Sequence, residues 1–156
     1  MLGRHGFLRG LTQPDLDRLA AAATHVEFPA GHRLFDIGGT ADRFWLLENG
    51  LVELELIVPG APRLTVESLG IGDVLGWSWL FPPYQWRFGA VVHRTVHGFE
   101  LDGRAVRAMC QDDPDFGYDL TQRFLAVVLN RLQATRVRLM DLYLRTQSGS
   151  DTEAVS

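Results

Sequence analysis

Arg87 lies in GDVLGWSWLFPPYQWRFGAVV, from Gly72 to Val92, among three Trp, one Tyr and two Phe. A guanidinium flanked by aromatic faces suits a flat or acyl anion: a carboxylate, a phosphate or an aromatic acid. The same residue types serve two other purposes. Trp77, Trp79, Tyr84, Trp86 and Phe88 can pack as core, because aromatics bury large areas. Arg87 would then need a carboxylate or a surface position. Alternatively, Pro82-Pro83-Tyr84 with Trp86 can project as a loop that docks another protein, exposed Trp and Tyr being common interface anchors.

Other reactive side chains form weaker patterns. The histidines are His5, His25, His32, His93 and His97. His93 and His97 read as opposite arms of a hairpin and could face each other. No Glu stands at metal-ligand spacing with them, and His25 and His32 straddle a turn, so no metal site is expected. Cys110, the only cysteine, follows Arg104 and Arg107 and precedes several acids. It reads as a buried structural thiol. Ser78 sits in G-W-S-W-L, without the glycine that follows the serine of a nucleophile elbow. Neither a P-loop nor a dinucleotide fingerprint occurs. No catalytic residue is assigned, and a non-catalytic protein is expected.

The elements that must position Arg87 follow from composition and period. The chain has 156 residues, 46% hydrophobic and 22% charged, enough for one domain with a core. The net charge of -4 offers no basic field to nucleic acid. All 15 basic residues are Arg, which reads as genomic base composition rather than function. The single cysteine suits a cytoplasmic protein. MLGRHGFLRG is too polar for a signal peptide, and the apolar runs are too short to span a bilayer.

Thr12 is a candidate N-cap for a helix through LDRLAAAA that ends near Thr24, with Pro14 and Asp15 in its first turn. The period then changes. Asn49-Gly50 separates two apolar segments and predicts a hairpin. Val52, Leu54 and Leu56 alternate with Glu53, Glu55 and Ile57, a half-buried strand. Pro59-Gly60-Ala61-Pro62 is a turn, RLTVESLG a strand, and His97-Gly98 a last hairpin. GRAVRAMCQDDP predicts a short helix stopped by Pro114. Asp112, Asp113 and Asp115 favour the start of a long helix.

That helix carries a seam. Leu125, Val128, Leu132, Thr135, Leu139 and Leu142 are spaced 3, 4, 3, 4, 3, an a/d heptad repeat. A second stripe lies partly around the helix, so one stripe can pack on the roll. The other then needs a partner, and the simplest is the same helix of a second copy, a two-fold homodimer. The fold class expected is α+β, mainly β: an antiparallel β-roll or jelly roll with an N-terminal helix and a long C-terminal dimerisation helix. One domain is expected over 1–146, with the roll at about 24–101 and the long helix at about 115–144. The polar tail, 147–156, is expected to be disordered.

FPAGHRLFDIGGTADRFWLLENGLVEL, GDVLGWSWL, the Arg of WRFGAVV and RLQATRVRLMDLYL resemble the cyclic nucleotide-binding domain of the catabolite activator (cyclic-AMP receptor) family. The resemblance runs from about Thr12 to Leu144. It implies a phosphate-binding cassette between two strands of the roll. Gly-rich backbone offers N–H groups to an anion, an Arg pairs with the cyclic phosphate, and a Glu after the glycine meets the ribose hydroxyl. A Ser or Thr after the Arg adds a hydroxyl, and a Thr on the long helix meets the base. By position Gly76 matches the glycine, Arg87 the phosphate Arg and Thr135 the helix Thr. Arg136 takes the place from which the helix reaches the partner's ligand.

The cassette departs from that pattern twice. Trp77 stands where the Glu belongs, and Phe88 where the hydroxyl belongs. Each unpaired buried hydroxyl costs about 1–3 kcal/mol, so two losses weaken binding by roughly 30-fold to 10⁴-fold. Cyclic nucleotide binding is therefore expected to be weak, and a different anionic ligand is expected beside Gly76, Trp77, Arg87, Phe88, Thr135 and Arg136. The family's transcription factors continue into a winged helix-turn-helix, which this sequence does not show, so direct DNA binding is not expected. Output through a protein partner is.

Overall fold

The computed structural model describes residues 2–155, with side chains over 2–148. The tail expected at 147–156 therefore lies, beyond its first two residues, outside the described side chains. The chain forms two compact units, one through Tyr118 and one from Asp119 onward.

The first unit opens with two 3-10 turns, Leu2–Arg4 and Gly6–Leu8, followed by α1, Gln13–Ala21. The Asp15 N–H donates to Thr12 Oγ1 at 3.4 Å, so Thr12 is the N-cap its sequence suggested. Six strands follow: β1 (Ala23–Phe28), β2 (Arg33–Phe35), β3 (Arg43–Leu56), β4 (Leu64–Leu69), β5 (Val74–Leu75) and β6 (Gly89–Asp102). All pairings are antiparallel, in the order β1-β6-β3-β4, with β2 joined to β6 and β5 to β3. The alternation along β3 is kept: Val52 and Leu54 are buried with Ala90 and Val92 of β6, while Glu53 and Glu55 lie on the other face.

Two expected hairpins are absent. Asn49-Gly50 and His97-Gly98 lie inside single 14-residue strands, β3 and β6, which pair with each other. The register shifts three times between Leu47 and Val52, so Asn49-Gly50 makes a bulge. Gly50 has φ of +93°, and a Cβ there would press on Thr95 O and stand 2.7 Å from Val96 Cα. Asn49 Oδ1 accepts the His97 N–H at 3.2 Å, filling the gap in the ladder. Tolerance of positive φ serves a bulge as well as a turn, so the dipeptide alone does not separate them. The expected turn at 59–62 does join β3 to β4.

Helix α2, Gly103–Asp112, is capped by Asp102, whose Oδ1 accepts the N–H groups of Arg104 and Ala105 at 3.0 and 3.2 Å. Helix α3, Pro114–Val155, begins where expected and continues past the expected end at Leu144. Asp113 Oδ1 accepts the Phe116 N–H at 3.2 Å. Arg18 of α1 bonds both Asp15 and Asp113, the latter at 2.8 Å, and lies 4.9 Å over the Phe116 ring. This ties α1 to the α2–α3 junction.

The second unit is the remainder of α3. Its surface carries i,i+4 pairs, Arg123–Asp119 at 3.0 Å and Arg145–Asp141 at 3.1 Å. The seam residues Leu125, Leu132, Thr135, Leu139 and Leu142 are exposed in the single chain, and Val128 is half-buried.

Candidate functional site

The segment between β5 and β6 is built from two backbone turns and an aromatic stack. Gly76 leaves β5 with φ of +95°. A Cβ at Gly76 would lie 3.1 Å from two carbons of the Trp86 ring and 3.3 Å from Arg43 O. Glycine is therefore needed twice, for the turn and for the indole pressed against it. The chain continues through Trp77 into a 3-10 turn, Ser78–Leu80, then Pro82-Pro83, whose peptide bond is cis. It returns beside residues 38–41. Trp86 N–H donates to Gly39 O at 2.9 Å, Trp86 O accepts from Gly38 N–H at 2.8 Å, and Tyr84 O accepts from Ala41 N–H at 2.7 Å. Trp86 is thus pinned through its backbone, and Arg87 leaves the loop next to it.

The aromatics divide into two kinds. Trp86 is buried, stacked on Phe35 with ring centroids 3.9 Å apart and tilted against Trp45 at 6.0 Å. Trp79 is fully buried and stacked on Phe44 at 4.7 Å. Trp77, Tyr84 and Phe88 are only half-buried, and Phe81, Pro82 and Pro83 are exposed. Core packing therefore accounts for two of the five residues that it was expected to claim. The projecting-loop reading keeps Pro82-Pro83, finds Tyr84 half-buried and loses Trp86.

The loop holds Gly76, Trp77, Arg87 and Phe88 together, with Gly76 and Arg87 neighbours through Trp86. Arg87 is exposed and makes no hydrogen bond, ion pair or ring contact with the described residues. It has the surface position its charge requires, and its donors face solvent. Thr135 and Arg136 belong to the second unit. Both are exposed, and Thr135 Oγ1 donates to Arg131 O at 2.9 Å within the helix. Sequence reading missed Phe35, Trp45 and Arg107 as parts of the loop's surroundings. None sits in the aromatic segment, and only the sheet register and α2 deliver them there. Arg107 Nη1 donates to Trp79 O, and its guanidinium lies 4.0 Å from the Tyr84 ring centroid.

The remaining reactive groups are accounted for otherwise. His93 and His97 do not face each other on a hairpin. They stand on one strand, about 13 Å apart along it, His93 beside Glu53 at 3.3 Å and His97 beside Glu27 at 3.9 Å. Burial pushes the Cys110 thiol above its ordinary pKa, the opposite of what a nucleophile needs. Ser78 is buried in the 3-10 turn. His5 is buried with Nε2 donating to Leu47 O at 3.1 Å and Nδ1 accepting the Phe7 N–H at 3.3 Å. Among the described residues no three His, Cys, Asp or Glu side chains gather to hold a metal ion, and no helix is long and apolar enough to cross a membrane.

Residues 25–113 match the family described as the cyclic nucleotide-binding domain. The chain is 26% identical over 142 residues to a CRP-like cAMP-activated global transcriptional regulator of Mycobacterium tuberculosis. That match covers 91% of this chain and 62% of the regulator, so the chain spans less than two thirds of the relative's length. A solved structure from Geobacter metallireducens, named for cyclic nucleotide binding, is 30% identical with a TM-score of 0.74, over 82% of this chain and 92% of its own. The catabolite activator protein of Thermus thermophilus, 21% identical, shares the fold with a TM-score of 0.68 over 88% of this chain and 62% of its own.

Proposed function

The chain belongs to the cyclic nucleotide-binding domain family, a family of regulatory domains, and on that premise we propose that it binds an anionic small molecule other than cyclic AMP through Arg87. The altered cassette acts within a homodimer joined along α3, in the cytoplasm, and occupancy is passed to a protein partner. Chemistry on the ligand is not part of this reading.

The observation that carries it is Arg87 itself. An exposed guanidinium with no partner among the described residues follows Trp86, whose ring lies against Gly76, on a loop where Trp77 and Phe88 stand in place of the family's polar residues. Trp77 and Phe88 offer a sugar neither a carboxylate nor a hydroxyl. An aromatic or acyl anion loses less there than a ribose with unpaired hydroxyls. The exposed seam of α3 supports the homodimer, because its leucines keep heptad spacing and stay exposed in one chain.

A second reading is genuine cyclic nucleotide binding. The retained Gly76 turn and free Arg87 favour it, as does the cAMP activation named for the Mycobacterium tuberculosis relative. Calorimetry on ligand-free protein separates the two, with cyclic AMP, cyclic GMP and a panel of carboxylates and organic phosphates. The expected outcome is weak or absent heat with the cyclic nucleotides and saturable heat with another anion. Arg87→Ala should then weaken that binding by about 10-fold to 100-fold, the worth of a charge-assisted hydrogen bond. Tight cyclic AMP binding moves the assignment to the second reading. Binding unchanged in Arg87→Ala removes Arg87 from the site, and silence throughout leaves a dimeric scaffold.

A further inference from the structure

The ligand loop is fastened by a side chain that belongs to neither of its strands. Arg107 stands on α2, bonds Trp79 O, and covers the Tyr84 ring at 4.0 Å. Trp79 and Tyr84 are the two shoulders of the loop, and the exposed Phe81, Pro82 and Pro83 lie between them. Tyr84 holds φ of +55°, a conformation that a bulky residue keeps only where its surroundings impose it. Two hydrogen bonds close the loop on itself, Leu80 N–H to Trp77 O at 3.1 Å and Tyr84 N–H to Phe81 O at 2.9 Å. Neither connects it to a helix.

Arg18, Arg33, Arg43 and Arg63 each reach a carboxylate. Among the described residues Arg107 has no ion-pair partner and reaches a carbonyl and a π face instead. The planar guanidinium can lie on the ring and donate from its edge at once, whereas an ammonium has no plane to stack. The Arg107 hydrogen bond goes to backbone, at Trp79 O.

We propose that Arg107 is the positioning residue of the ligand loop. It couples residues 77–86 to α2, so that Arg87 is presented on a preset loop. The idea rests on the reading of Arg87 as the anion contact.

Amide hydrogen exchange on the full ligand-free chain, followed by NMR, tests the coupling. In the wild type the Leu80 and Tyr84 amides should exchange at rates close to those of α2, as one cooperative unit. Arg107→Met and Tyr84→Leu should each speed loop exchange by about 10-fold to 100-fold while α2 keeps its rate. Tyr84→Phe keeps the ring and should match the wild type. Arg107→Lys, with a rotating ammonium and no planar face, should recover only part. The double variant should be no faster than the faster single one. Loop exchange unaltered in Arg107→Met, or already far faster than α2 in the wild type, overturns the proposal. Should Arg107→Met fail to fold, equal exchange in Tyr84→Leu and Tyr84→Phe overturns it. Arg87→Ala leaves both Arg107 contacts in place, so it should exchange like the wild type. Failure of the anion site therefore shows in calorimetry alone, and failure of the coupling in exchange alone.

Discussion

In the roll Val52 and Leu54 are 0% and 4% exposed, whereas on the long helix Leu132 and Leu139 are 44% and 61% exposed, although both patterns are equally regular. The difference lies in where the complementary surface is. A strand of period two is buried within the same chain: Val52 and Leu54 share one apolar face with Val92 and Ala90 of β6, and all four are buried. A seam of period 3.5 calls for another seam of the same period, and the single chain leaves Leu132, Leu139 and Leu142 uncovered. The roll is thus expected to be stable in itself, and the helix through association.

Breaking the seam is the severest test of that contrast. Leu132→Asp with Leu139→Asp removes four leucines from a two-fold dimer. At about 1.5–3 kcal/mol for each buried leucine, the dissociation constant should rise by more than about 10⁴-fold. Sedimentation equilibrium would show a monomer whose near-ultraviolet circular dichroism, reporting the roll's tryptophans, is unchanged. A wild type that is already monomeric at high concentration would dissolve the comparison.

Trp86→Ala attacks the other side. Its ring is buried against Phe35, Trp45 and Gly76, and such truncations cost about 3–5 kcal/mol. Urea unfolding should show that loss with no change in association. A loss much below this range would mean that Trp86 is dispensable packing and that the space beside Gly76 is open to ligand.

The smallest effect concerns the N-terminal segment. Burial holds the His5 imidazole below its ordinary pKa, partly offset by the Leu47 carbonyl and the charges of Glu48 and Asp73. Its neutral form is also the one that its partners require, because a proton on Nδ1 would displace the Phe7 N–H. The unfolded chain therefore binds the proton more readily. The stabilisation is present above about pH 6.5, the unfolded value, and is lost as pH falls toward the lower folded value. Thermal melts should drop modestly on acidification through that window. His5→Gln should flatten this part of the profile, and an unaltered slope in that variant would remove His5 as its source.

Much of the fold could be read from local chemistry. Thr12 caps α1, the turn at 59–62 separates two strands, the Asp102 region opens a short helix, and the acids around Pro114 open a long one. Asn49-Gly50 and His97-Gly98 were misread because backbone permissiveness is a local property, while pairing partners are not. Opposite each glycine runs another strand, pressing on the place where a Cβ would be. At the site, Gly76 and Arg87 stood out through a family pattern and through the cost of a lone charge among aromatics. The division of those aromatics did not, since Trp77 and Trp79 are two residues apart in one segment and only one is in the core.

The amino-acid sequence by itself determined the antiparallel class, the order of helix, strands and helices, and the heptad seam. Each of these depends on period, capping or residue type within a few positions, whereas Trp77 and Phe88 stand out only against the resemblance to the family's cassette. Tertiary structure alone decided that Trp86 lies on Gly76, that Arg87 has no side-chain partner among the described residues, and that Arg107 of α2 reaches Trp79 O and the Tyr84 ring. These depend on which distant segments the sheet register brings within contact. In the segment from Gly72 to Val92, that register sets which tryptophans stack into the core and leaves the one arginine in solvent.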